Sequence, residues 1–235
     1  MDHCRLAIEA AGAACVAAKL QLACFERLGA DGWPALDHVA GYAREAGLLV
    51  IADGKRGDVP VTAQAYAEAL TGLGVDAYTA NPLLGRDSLE QLTGTGAGCF
   101  VLVRTSNPGA ADVQDLEVDG APLWERLARL VDELGGGDTL GGCGLSSVGA
   151  VTGATRPEHL ARMRELMPRA IFLLPGVGAQ GGRVEDLGPA FEPHPAAGLV
   201  SASRSIVNAH AQRGGDPAAA AAAAAEELRA AAANL

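Results

Sequence analysis

Seven short apolar runs recur along the chain, and they limit its fold more than any other feature. They are VAAKL (16–20), LLVIAD (48–53), VDAYTA (75–80), CFVLVRT (99–105), SVGAVTG (147–153), AIFLLPG (170–176) and GLVSAS (198–203). Segments with helical spacing separate them at 31–46, 60–73, 86–94, 121–135, 156–166 and 183–190. Strands that alternate with helices of this length build βαβ units and a parallel sheet. The runs are continuously apolar rather than alternating, as strands covered on both faces must be. Seven such units in 235 residues predict one domain over 1–235, an α/β TIM barrel. That fold uses eight strands, so the first strand is missing from the pattern. The chain opens on the helical DHCRLAIEAAGAAC, and the gap is most easily placed before residue 1. The alanine-rich tail (218–235) reads as the closing outer helix, with Asp216 as N-cap and Pro217 in its first turn. The glycine-rich 135–144 reads as a flexible insertion.

Hydrophobic residues make up 49% of the chain and aromatic ones 4%, which predicts a core packed tightly from small residues. The net charge of −10 argues against a nucleic-acid surface and requires any anion site to be built locally. Five cysteines without a CxxC spacing predict reduced, mostly buried thiols in a cytoplasmic protein. No leader pattern or membrane-length apolar run interrupts this reading. The five histidines lack metal-ligand spacing, and no metal site is expected.

The second apolar run continues into charge, as LLVIADGKRGDV (48–59). Residues two apart on a strand face the same way, so Asp53 and Lys55 should share a face. Strand C-terminal ends open into the active site of a TIM barrel. Lys19 ends the preceding run, and Asp58 follows in the loop. A surface ion-pair network would also bring such charges together, but is only weakly stabilising. Delivery of all four to one rim, directly after buried strands, favours a functional site.

A second cluster lies further along the chain. PGVGAQGG (175–182) carries the G-x-G-x-x-G spacing at Gly176, Gly178 and Gly181. In a dinucleotide fold this fingerprint belongs to the first βαβ unit, with an acid ~20 residues on; AAGLVSAS (196–203) has none. A loop offering backbone N–H groups to a phosphate fits better. Arg204 follows the next run and can grip two phosphate oxygens. TIM barrels often bind phosphate with the loops after strands seven and eight. These loops follow visible runs six and seven, which agrees with one strand missing at the start.

Together these motifs resemble the orotidine 5′-monophosphate decarboxylase family, which carries out the last step of UMP synthesis. DGKRGDV resembles the family's D-x-K-x-x-D signature, which related sugar-phosphate enzymes share. AAKLQLACFERLG, before it, resembles the segment that carries the family's other active-site lysine, and NPLLGRDSL, FVLVRTSNPGA, SSVGAVTGAT, LLPGVGAQGG and SRSI fall in the family's order. The resemblance implies a cofactor-free decarboxylase. Lys55 would protonate C6 after CO2 leaves, Asp53 would lie near the substrate carboxylate, and Lys19 and Asp58 would complete the charge array. It also implies a homodimer in which Asp58 and Thr62 serve the neighbouring chain's site. Ser106 would bind the pyrimidine, Gln180 would bridge phosphate and base, and Gly181 and Arg204 would hold the phosphate. Two departures stand out. The family's first strand, ending in an aspartate that contacts ribose, is not visible, and Gly54 stands where a side chain is usual, which would loosen the strand. These departures leave open a paralogue acting on another nucleotide or sugar phosphate, or a nucleotide-binding barrel without turnover.

Overall fold

A computed structural model describes residues 2–235. Each of the seven apolar runs forms a strand of one parallel sheet: β1 (Ala17–Gln21), β2 (Leu49–Arg56), β3 (Ala77–Ala80), β4 (Gly98–Arg104), β7 (Ser146–Thr152), β8 (Ala170–Pro175) and β9 (Gly198–Ser201). They are hydrogen-bonded in the order β1-β2-β3-β4-β7-β8-β9. A two-stranded hairpin, β5 (Glu117–Val118) and β6 (Ala121–Pro122), sits in the excursion after β4.

Both faces of the sheet are covered. Ile51, Ala77, Phe100, Val151 and Leu173 fill the barrel interior. Their strand neighbours Val50, Ala52, Tyr78, Val101 and Phe172 face outward into the larger core against the helices. Those helices are α3 (Gly32–Glu45), α4 (Pro60–Gly72), α5 (Arg86–Thr93), α6 (Leu123–Leu134) and α7 (Leu160–Leu166). The other helices are α1 (Asp2–Ala11) and the short α2 (Leu22–Glu26), α8 (Arg204–Val207) and α9 (His210–Arg213). The alanine tail is α10 (Pro217–Ala232), whose first turn is capped by the Asp216 carboxylate accepting from Ala219 N–H at 2.8 Å.

The sheet does not close. No ladder joins β9 to β1 among the described residues, in keeping with the strand missing from the sequence pattern. A cavity of about 240 Å³ occupies the seam, lined by Ala17, Lys19, Val200 and Ser201 and floored by Ala225 and Leu228 of α10. Helix α10 packs on α1 outside the gap. No helix of the described residues is long and apolar enough to cross a membrane.

Two expectations fail. Residues 183–190 form two 3-10 turns, Val184–Asp186 and Gly188–Phe191, rather than a helix. Pro189 lacks the N–H that an α-helix interior needs, and Gly188 beside it favours coil. The thiols are mostly not buried either: Cys99 is, Cys4 and Cys15 are half-buried, and Cys24 and Cys143 are exposed.

Candidate active site

The charged constellation is built where β1, β2 and β3 reach the mouth of the barrel. Gln21 pairs with Asp53 in the parallel ladder. Lys19, two residues before Gln21, takes the inward side, as Ile51 and Asp53 do on β2. Its Nζ lies 2.8 Å from Asp53 Oδ2. Lys55 Nζ lies 2.5 Å from Asp53 Oδ1. The carboxylate is 8% exposed, Lys19 19% and Lys55 41%. One buried acid is therefore held between two cations, and the more exposed of them faces the opening.

Lys55 does not reach this position by regular strand alternation. The β2–β3 register slips between Ala52 and Arg56, and Lys55 has φ +49°, a left-handed conformation that costs a residue with a side chain free energy. The strain is held in place by Thr79 on β3. Its hydroxyl accepts the Lys55 N–H at 2.8 Å and donates to Asp53 Oδ1 at 3.0 Å. Thr79 is 1% exposed. Sequence reasoning passed over it, although a threonine hydroxyl two residues after inward-facing Ala77, near the C-terminal end of the run, was a usable signal.

Gly54 does more than loosen the strand. A Cβ there would lie 2.4 Å from Leu22 Cδ1 and 3.2 Å from Arg56 Nε. Leu22, at the start of α2, is fully buried, so it cannot swing away. Gly54→Ala is expected to destabilise the fold by about 1–3 kcal/mol, the usual cost of overpacking. A urea midpoint equal to wild type would show that Leu22 repacks freely.

Burial by itself would raise the Asp53 carboxyl pKa. The Lys19 charge, followed by the hydrogen bonds from Lys19 and Lys55, more than offsets this and holds it below its ordinary value. A depressed carboxyl contributes stability that is fully present above its unfolded pKa, about 3.9, and is lost as pH falls through the folded value. The gap in thermal midpoint between wild type and Asp53→Asn should therefore be constant near neutrality and shrink below about pH 4. A gap that widens on acidification would reverse the sign.

Asp58 stands apart from these three within one chain. Its carboxylate accepts Val59 N–H at 2.7 Å, and its carbonyl accepts from the Ser88 hydroxyl. No ion pair joins it to Lys19 or Lys55 among the described residues. Thr62 lies in the first turn of α4, half-buried, with its N–H on Val59 O at 3.0 Å.

The far side of the mouth is made by β4, β7, β8 and β9. Ser106 follows β4 and is packed against two glycines. A Cβ on Gly153 would lie 2.7 Å from Ser106 N, and one on Gly176 would lie 3.0 Å from Ser106 Cβ and 3.4 Å from Gln180 Oε1. Ser106 and Gln180 therefore flank Gly176, whose φ of +107° only glycine adopts readily. The loop after β8 folds on itself: Gly181 N–H donates to Gly178 O at 2.9 Å, and Gly182 N–H to Gly176 O at 3.0 Å. The Gly181 amide is thus occupied inside the loop, while the N–H groups of Ala179 and Gln180 have no acceptor among the described residues. The loop touches the start of α8, since a Cβ on Gly178 would lie 3.1 Å from Ser205 Oγ. Arg204, beside Ser205, is exposed and forms no ion pair among the described residues. This end offers free donors and a cation, while the β1–β3 end offers the charge triad.

A model of the orotidine 5′-phosphate decarboxylase / HUMPS family matches residues 1–225. The chain belongs to that family. Among its relatives, the orotidine 5′-phosphate decarboxylase of Rhodopirellula baltica is 47% identical over 204 residues, covering 82% of this chain and 67% of the relative. That of Halorubrum lacusprofundi is 48% identical over 187 residues, covering 77% and 64%. The chain spans about two thirds of the length of these curated relatives. The solved structure of Leishmania donovani OMP decarboxylase superposes with a TM-score of 0.81 at 34% identity, covering 98% of this chain and 87% of that one. The family's fold is thus present in this chain as a nearly closed parallel sheet of seven strands, and Asp53, Lys55 and Asp58 stand in D-x-K-x-x-D spacing on and just after β2.

Proposed function

We propose that the protein decarboxylates orotidine 5′-monophosphate to UMP without a cofactor. The observation that carries this reading is the Lys19–Asp53–Lys55 array in a member of the decarboxylase family, at the same C-terminal rim of the parallel sheet as Ser106, Gln180 and Arg204. The phosphate binds Arg204 and the free amides of the loop after β8, and Ser106 and Gln180 receive the base. This places C6 and its carboxylate against Asp53 and Lys55. The C6–carboxylate bond breaks, CO2 departs, and the electron pair left on C6 takes a proton from the Lys55 ammonium. Asp53 serves two ends. It disfavours the substrate's own carboxylate next to it, and with Lys19 it fixes the ammonium that must meet the developing carbanion. Contacts to the distant phosphate supply binding energy that orients the reacting end.

The working unit in this reading is a homodimer. Val59 (55% exposed) just before α4, Val61 (83%) in its first turn and Leu83 (79%) in the 3-10 turn after β3 are exposed apolar side chains at the strand ends near Asp58. Clustered exposed apolar residues of this kind mark an interaction surface. In this reading Asp58 and Thr62, close to these residues in sequence, serve the partner's site rather than their own.

The test is the loss of orotidylate absorbance with purified protein, with UMP identified as product. Protein that binds UMP but leaves orotidylate unchanged would overturn the proposal.

A further inference from the structure

Arg104 is 3% exposed, and the mechanism above gives it no part. It ends β4 where the ladder to β7 slips between Leu102 and Arg104. Its Nε and Nη2 donate to the two carboxylate oxygens of Asp115, each at 2.9 Å. Its Nη1 donates to the carbonyl of Thr105 at 2.6 Å. The neighbour of Asp115 holds the other side of the same residue: Gln114 Oε1 accepts the Thr105 N–H at 2.8 Å. The peptide groups before and after Thr105 are thus both fixed, the first by Gln114 and the second by Arg104, which Asp115 of the returning loop holds. That loop is tied down in turn, with Trp124 N–H on Gln114 O at 3.0 Å and Leu123 N–H on Leu116 O at 2.8 Å. Ser106 comes next, with its own carbonyl accepting from the Thr155 hydroxyl at 3.0 Å.

We propose that Arg104 and Asp115 are positioning residues: their two-pronged ion pair sets the height and direction of Ser106 over the base position. The inference rests on the decarboxylase reading and deepens it. A planar guanidinium gripping a carboxylate at both oxygens fixes an angle as well as a distance, which a lysine cannot do. Arg104 itself stays in the sheet, paired with Thr152 beyond the slip and accepting the Gly153 N–H on its carbonyl at 2.7 Å, so the ladder anchors its backbone while its side chain holds the Thr105 carbonyl just past the strand end.

The test uses Arg104→Lys and Asp115→Asn, the second of which alters a loop residue that is not buried. Each is expected to lower kcat/KM for orotidylate by roughly 10–100-fold, the scale on which ångström-level misplacement acts. Competitive inhibition by ribose 5-phosphate, which engages only the phosphate end, should stay within about twofold of wild type, since the brace does not reach that end. The double variant should be no worse than the poorer single, because each residue acts through the other. Variants with kcat/KM within twofold of wild type would overturn the proposal. So would a parallel loss of ribose 5-phosphate inhibition, which would mean that the brace merely supports the fold. Wild-type protein inert toward orotidylate would overturn the decarboxylase reading itself, whereas active wild type with unimpaired variants would overturn this inference alone.

Discussion

Lys55→Ala is expected to lower kcat for orotidylate by at least ~10³-fold while leaving the fold nearly intact. Loss of a positioned proton donor costs roughly 10²–10⁴, and loss of a cation facing developing charge adds to it. The fold should tolerate the change because Asp53 keeps Lys19 at 2.8 Å and the Thr79 hydroxyl at 3.0 Å. Lys55 is also the more exposed of the two lysines. The thermal midpoint should therefore move by only a few degrees, and UMP binding measured by calorimetry should persist. Lys55→Arg separates charge from proton delivery. It keeps a cation, but one whose pKa above ~12 makes it a poor acid at neutral pH, so it too should be nearly inactive. Full turnover by Lys55→Arg would mean that charge alone suffices. Full turnover by Lys55→Ala would remove the residue from the chemistry.

The strand–helix alternation was legible because burying a parallel strand on both faces writes a continuous apolar run, and all seven runs became strands of one sheet. The open seam was legible for the same reason, as a count of runs. What escaped notice depends on contacts between distant segments. Asp53 and Lys55 do meet in an ion pair, but through a register slip and a positive φ held by Thr79, which the sequence pattern did not single out. Gly54 looked like a weakness because nothing in the segment reveals that Leu22 fills the space beside it. Arg104 and Asp115 meet across a loop whose spacing carries no pattern. The phosphate loop shows the reverse case: its glycines were legible, but not that the Gly181 amide would turn inward to Gly178. The helix expected over 183–190 was a misreading of a period broken by a visible Gly188–Pro189 step.

Mixing two inactive variants should restore activity. Asp58→Ala is expected to lower kcat by roughly 10²–10³-fold, the cost of removing one charged group from a preorganised site. Within its own chain Asp58 forms no ion pair with Lys19 or Lys55 among the described residues, and the exposed Val59 and Val61 follow it directly; the proposed working unit is a two-fold dimer. In such a dimer each site would take Lys55 from one subunit and Asp58 from the other. A mixed dimer of Lys55→Ala and Asp58→Ala chains then holds one site with both defects and one with none. Random pairing makes half the dimers mixed, so about a quarter of all sites should work. Differently tagged chains, unfolded together and refolded, would supply the sample, and orotidylate turnover would be compared with each variant refolded alone. Recovery to about a quarter of wild type requires Asp58 to act across the interface. No recovery, with mixed dimers demonstrated by tandem purification, would return Asp58 to its own chain's site or remove it from catalysis, and the exposed valines would need another explanation.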